Sequence, residues 1–307
     1  MPPDNVTPDI WFPNLGFYFE RVPENVLSIG NITIAWYGLL IVAGIISAYF
    51  LAIWWARKTN QRTEDYTDLL LLGVVLAFVG LRAYYVVFNW ELFRGRGLMA
   101  IIDIRQGGLA IYGGIIGAVI AGLIIGKLRG IPFTTLADTC APSLLLGQVI
   151  GRFGNFFNAE AFGGFTDNVL AMRIRVDRAR YTTPELLERA IEANGATYIQ
   201  VHPTFFYEAA INFVLMILLI LYRPHKKFNG EIILLYFLGY GIARFFIEGL
   251  RTDQLIFFGT GWPASQVVSV VFVVVSLVLL IMGHMTSHRR GGGPDAAPVR
   301  SRRRGRR

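Results

Sequence analysis

The chain has 307 residues, 54% of them hydrophobic and 16% charged, with a formal net charge of +8. A soluble domain carries about 25% charged residues, so an ordinary water-soluble globule is excluded. The single cysteine, Cys140, excludes a disulfide framework and a cysteine-based metal site.

Residues 1–31 hold Asp4, Glu20, Arg21 and Glu24 before any long apolar run, and read as an outside segment without a cleavable signal peptide. Apolar runs follow at roughly 32–55, 68–88, 108–127 and 134–154. A helical span needs about 20 apolar residues, and barrel-type alternation is missing, so residues 32–159 read as four transmembrane helices. The fourth is interrupted by Gly147, Gln148, Gly151 and Arg152, as in a helix shielded by others. The polar stretch 160–203 reads as a small folded head with a strand and a short helix. Runs at 204–222, 231–248 and 262–284 give three more spans within 204–285. Residues 286–307 read as a disordered Arg-rich tail, for which anionic lipid is a simpler partner than nucleic acid. The fold class expected is an all-α polytopic membrane protein with about seven transmembrane helices and a small periplasmic or extracellular head.

Lys and Arg mark cytoplasmic loops. Arg57, Lys58, Arg62, Lys127, Arg129, Arg223, Lys226, Lys227 and the tail fall on one side, in short segments. The N-terminus is therefore expected outside and the C-terminus inside. Charges within a bilayer are costly and mark function. On this topology Arg82, Arg152 and Arg244 all fall in the outer half, although the topology was set from the loops alone. Trp36, Tyr37, Gln106, Gly107, Gly108, Tyr112, His202, Tyr207, Glu208, Glu248 and Arg251 also lie at outer helix ends. Snorkelling and an aromatic belt would explain single members of this set. They do not explain the whole, because the inner ends are expected to be mostly apolar.

Tyr240, Arg244, Glu248 and Arg251 share one helical face, and Arg152, Asn155 and Asn158 share another. A structural ion-pair network is the bland alternative for Glu248 and Arg251. Gly113 with Gly117, and Gly122 with Gly126, have the spacing that lets helix backbones approach closely. No metal box, triad or nucleotide loop is present; GGIIGA lies inside an apolar span. Arginine forks match phosphate oxygens, so the residues alone point to a site for a phospholipid head group.

The run from Gly151 to Glu160, GRFGNFFNAE, followed by Gly163, resembles the signature of prolipoprotein diacylglyceryl transferases. AWYG at 35–38, QGGLAIYGG at 106–114, His202-Pro203-Thr204 with Tyr207-Glu208, and RFFIE at 244–248 with Arg251 extend the resemblance over about residues 30–285. It implies an enzyme of the bacterial cytoplasmic (inner) membrane without metal or organic cofactor. Such an enzyme moves the diacylglyceryl group of phosphatidylglycerol onto the lipobox cysteine thiol of a prolipoprotein signal peptide. A thioether forms and glycerol-1-phosphate leaves. It also implies essential roles for Arg152, Asn155 and Arg244, and functional roles for Glu160, Tyr37, Tyr240, Glu248 and Arg251. Tyr112 stands where many members carry a histidine discussed as the base, so Glu160, Tyr112 and the leaving phosphate all remain open as thiol-proton acceptors. Asn158, His202 and Gly108 complete the candidate substrate contacts. A lipid transporter would carry polar groups through the inner half, and a scaffold built on the head would leave the intramembrane arginines unexplained.

Overall fold

A computed structural model describes residues 2–3, 5–30, 32–104, 107–257 and 261–289. The Arg-rich tail from residue 290 onward, Asp4 and Gln106 lie outside the described residues. Four short strands come first: β1 (Ile10–Phe12), β2 (Phe17–Phe19), β3 (Asn25–Ile29) and β4 (Ile32–Ala35). Helices α1 (Trp36–Lys58), α2 (Thr63–Phe88), the short α3 (Gly97–Ile102), α4 (Ile111–Arg129) and α5 (Phe133–Phe157) follow. Then come β5 (Met172–Arg175), the one-turn α6 (Pro184–Glu188), β6 (Ile191–Ala193) and β7 (Ala196–Val201). Helices α7 (Thr204–Tyr222), α8 (Glu231–Leu250) and α9 (Ala264–Arg289) end the described chain.

Six of these helices, α1, α2, α4, α7, α8 and α9, are long and apolar enough to cross a membrane. Their ends follow local chemistry. Arg57 and Lys58 close α1, and Lys127 and Arg129 close α4, where cations oppose the helix dipole. Gly130, at φ +70°, ends α4 in a left-handed cap. Large apolar side chains such as Leu71, Val75, Val79 and Phe246 point outward and stay exposed, the reverse of a soluble protein. The fold is mostly helical rather than all-α, because among the described residues seven strands form two sheets. Strands β1 and β2, from the N-terminal segment, join β5, β7 and β6 in a five-stranded antiparallel sheet ordered β2-β1-β5-β7-β6.

The sheet sits on one end of the bundle. Strand β4 runs directly into α1, β7 leads through Pro203 into α7, and α5 ends at Phe157 just before the loop to β5. Ile10, Phe12, Phe162, Ile174, Ile199 and Val201 from the sheet and its loops pack with Phe156 of α5 and Phe205 of α7 in one buried cluster. Helix ends and sheet therefore share a core.

Small residues set the closest helix contacts. A Cβ on Gly80, Gly113 or Gly117 would overlap the backbone of the facing helix, with Gly113 facing Gly80 and Gly117 facing Leu76. Gly44 of α1 and Gly147 of α5 face each other less closely: a Cβ on Gly44 would stand 3.0 Å from the Gly147 carbonyl, whereas one on Gly147 would stand in ordinary contact, 3.5 Å from the Gly44 carbonyl. The expected pair Gly113 and Gly117 lines a helix crossing. Gly122 and Gly126 instead receive Phe133 and Ile131 of the chain returning into α5.

Candidate active site

Three helices converge on one carboxylate. Glu208, in the first turns of α7, is only 1% exposed. Its Oε1 takes Nη2 of Arg152 from α5 at 2.5 Å, and its Oε2 takes Nη1 of Arg244 from α8 at 2.9 Å. Arg244 Nη2 also reaches Glu248 Oε2, one turn along α8, at 2.5 Å. The Tyr240 hydroxyl donates to Glu208 Oε1 at 3.5 Å. Two guanidinium groups face two carboxylates, so the cluster is neutral. That is how four ionised groups are tolerated in a low-dielectric setting. Among the described residues Arg244 engages two carboxylates and Arg152 only one. Arg152 is also the more open side chain, 21% exposed against 14%.

Polar contacts continue along the bundle. The Tyr240 and Tyr236 rings are stacked at 5.7 Å, Gln148 donates to the Tyr236 hydroxyl at 2.8 Å, and Asn212 donates to Gln148 at 3.3 Å.

A second carboxylate lies at the end of α5. Glu160 Oε1 accepts from Asn155 and Asn158, each at 3.1 Å, and Oε2 lies 4.0 Å from Arg180. Ala159 and Ala161 on either side have φ of +46° and +57°. Such backbone costs roughly 1–3 kcal/mol per residue and clusters at functional sites. The strained turn fixes Glu160 against the two amides. Tyr37, in the first turn of α1, packs its ring against Gly154, and Trp36 stacks on Phe157 at 4.7 Å.

Not every candidate joins these clusters. His202 Nδ1 lies 3.3 Å from the Tyr207 hydroxyl, which accepts from Asn168 at 2.8 Å. Burial keeps the His202 imidazole below its ordinary value of 6.5, favouring the neutral ring. Arg251 leaves the α8 face expected for it, because the chain turns extended there. It makes a two-bond fork with Asp253, at 2.9 and 2.7 Å, and its backbone bridges to Gly163. Burial tends to raise the Asp253 carboxyl, but Arg251 holds it below its usual range. Arg82 donates to the carbonyls of Ala100, Ile101, Gly107 and Gly108 at 2.6–3.1 Å and so shapes the loop before α4. Gly108, at φ +76°, packs under Arg82 and Tyr85. Tyr112 is 37% exposed and has its ring contact with Tyr84 of α2.

The end of the bundle away from the sheet is not apolar inside, contrary to the expectation from sequence. Asp138 and Glu231 are fully buried there. Asp138 accepts from Lys226 and from the backbone of Gly230 and Ile233, at 2.8–3.1 Å. Glu231 accepts from Tyr222 at 2.6 Å and meets His284 at 3.2 Å. These groups tie α5, α7, α8 and α9 together at a helix cap and form a structural network.

Asn168 and Ser265, whose hydroxyl lies 3.5 Å from Arg244 Nη2, carry no signal in the sequence, whereas Glu208 and Gln148 appear there only as an outer-end residue and a span interruption without a role in the site. For Glu208 the signal existed: an ionisable side chain at the start of an apolar span. Its central place depends on three helices meeting, which no local pattern encodes. Among the described residues no three metal-ligating side chains gather. The arrangement offers two adjacent guanidinium groups, each on a different oxygen of one carboxylate. A phosphodiester presents its two free oxygens in the same way.

The family model described as prolipoprotein diacylglyceryl transferase matches residues 24–282. The chain is 42% identical over 255 residues to a Finegoldia magna protein named phosphatidylglycerol–prolipoprotein diacylglyceryl transferase, covering 83% of this chain and 93% of that one. Proteins of the same name match from Bacillus cereus strain G9842, at 39% identity covering 83% of this chain and 90% of the relative, and from Clostridium novyi, at 38% covering 83% and 93%.

Proposed function

Because the chain belongs to the prolipoprotein diacylglyceryl transferase family, we propose that the Arg152–Glu208–Arg244 cluster is where phosphatidylglycerol gives up its diacylglyceryl group. The protein is a transferase that moves this group from phosphatidylglycerol to prolipoproteins during lipoprotein maturation, and it is a multi-pass membrane protein. The observation that carries the site is the shared carboxylate, with each arginine on its own oxygen.

In the proposed reaction the acceptor is the lipobox cysteine of a prolipoprotein signal peptide. Its thiolate attacks the diacylglyceryl carbon that is joined through oxygen to the phosphate. The sulfur–carbon bond forms as the carbon–oxygen bond breaks, and glycerol-1-phosphate carries away the electron pair. The barrier lies in the charge gathering on the departing phosphate. Arg152, the more open arginine, reaches the phosphate first and Arg244 completes the clamp. Preorganised donors of this kind often give the largest catalytic term. Asn155 and Asn158 hold Glu160 in place as the proton acceptor for the thiol. Among the described residues its Oε2 meets Arg180 alone, at 4.0 Å, which supports this choice over Tyr112, whose ring contact is with Tyr84. Tyr37 and Tyr240 flank the lipid head group.

The same reading gives α5 as a seventh span, shielded from lipid by its neighbours α1 and α7. The basic helix ends, with Lys58, Arg129 and Lys226, lie away from the sheet and support a cytoplasmic assignment for that end. The sheet is then the outside head, the N-terminus lies outside and the C-terminus inside. Exposed Trp90 and Trp262, outside the long helices, suit a membrane interface.

Arg152→Lys tests the clamp. It keeps the charge but loses the fork, and turnover is expected to fall by about 10²–10³. Near-normal turnover would show that no bidentate phosphate contact is made at Arg152.

A further inference from the structure

Glu208 sits on the very donors that the phosphate needs. We propose that Glu208 competes with phosphate for Arg152 and Arg244, and that this competition expels the phosphate product. The inference rests on the reading of the two arginines as a phosphate clamp.

The charge on the ligand changes during the reaction. The substrate is a phosphodiester with one negative charge. Breaking the carbon–oxygen bond leaves a monoester, and such groups carry about −1.5 to −2 near neutral pH. Two half-buried arginines without a competitor would therefore hold product more tightly than substrate and stall turnover. The structure contains the competitor. Glu208 Oε1 faces Arg152 and Oε2 faces Arg244, so one carboxylate fills both positions. Glu248 remains on the far side of Arg244 and keeps that arginine in place during the exchange. When phosphate occupies the clamp, Glu208 stays buried without its two partners, which is strongly unfavourable. Its return is the restoring force for product release. Glu208 thus acts through the arginines and is a positioning residue.

A merely structural carboxylate and a competing one predict opposite changes in affinity. If Glu208 only holds helices together, its loss loosens the clamp and weakens phosphate binding. If it competes, Glu208→Gln removes the rival and tightens binding. Full-length protein in phosphatidylglycerol vesicles with a lipobox peptide is the system for the test. Inhibition by added glycerol-1-phosphate is measured alongside KM for phosphatidylglycerol, kcat and the pre-steady-state time course. Glu208→Gln is expected to lower the inhibitory glycerol-1-phosphate concentration at least 10-fold, lower KM and lower kcat. A first-turnover burst of lipidated peptide is expected in the variant and not in the parent. Glu208→Asp, whose shorter side chain cannot bridge both arginines, is expected to shift inhibition in the same direction by less. If the Gln variant does not fold, the Asp variant decides. Unchanged or weaker product inhibition in whichever folded variant is tested overturns the competition. Arg152→Ala separates the two levels. If it leaves glycerol-1-phosphate inhibition unaltered, the phosphate clamp itself is wrong. If it weakens inhibition while the Glu208 variants show no tightening, only the role of Glu208 is wrong.

Discussion

Gly151 and Gly154 lie one helical turn apart in the same motif, yet the structure assigns them different tolerances. An alanine Cβ at 154 would stand 2.6 Å from Cδ2 of Tyr37 and 3.2 Å from Cε2. Carbon atoms pack at about 3.5–4.0 Å, so the ring must retreat by roughly 1 Å. The stack of Trp36 on Phe157 pins the adjoining residue, which leaves the tyrosine little room to yield. Overpacking of this kind costs about 1–3 kcal/mol, against a gain of about 1 kcal/mol for replacing glycine in a helix. At 151 no atom lies within 4 Å of the new Cβ, so only the helical gain applies. Gly154→Ala should therefore be less stable than Gly151→Ala by about 1–3 kcal/mol. A displaced Tyr37 should also slow lipidation by up to about 10²-fold. Thermal unfolding in detergent, together with lipidation rates in vesicles, reads both quantities. Equal melting temperatures and equal rates for the two variants would refute the assignment of Tyr37 to a tightly packed wall of the site.

The α2–α4 crossing gives a second expectation. Gly117→Ala should force the helices apart and lower the melting temperature clearly, whereas Gly73→Ala, with nothing within 4 Å, should not. Acid sensitivity gives a third. The folded chain holds His202 below its ordinary 6.5. The unfolded chain therefore binds the extra proton first as pH falls below about 6.5, and stability falls with it. His202→Gln should flatten this part of a melting-temperature profile between pH 7.5 and 5.5, and a parent protein that gains stability on acidification would contradict the burial argument.

Most helix positions were legible in the apolar runs, and their errors have physical causes. The run from 32 onward begins in β4, because Ile32-Thr33-Ile34 is β-branched and short apolar stretches do not reveal their period. Helix α2 starts five residues before its apolar run, since Glu64 and Asp65 suit a helix N-terminus. Strands β1 and β2 went unread because each is only three residues long and gains its partners from residues 172–175 and from the other strand of its hairpin. Arg152, Arg244 and Glu248 were visible as costly charges in apolar spans, and the structure brings them together. Glu208 was visible as an end residue and as part of the Tyr207-Glu208 match, but without a role. Extending a helical face to Arg251 failed because α8 ends at Leu250. The buried Asp138 and Glu231 escape a local reading because their partners come from elsewhere in the chain: Lys226 and the backbone of Gly230 and Ile233 for Asp138, and Tyr222 and His284 for Glu231.

The measurement that tests the central claim most directly combines purified protein, phosphatidylglycerol vesicles and a lipobox peptide, with Arg244→Ala alongside. Peptide mass and glycerol-1-phosphate release are followed together. The account predicts a diacylglyceryl mass gain on the cysteine, matched by phosphate product, and the loss of both in the variant. A variant that folds and still lipidates the peptide at the parent rate would contradict the placement of the reaction at the Arg152–Glu208–Arg244 cluster.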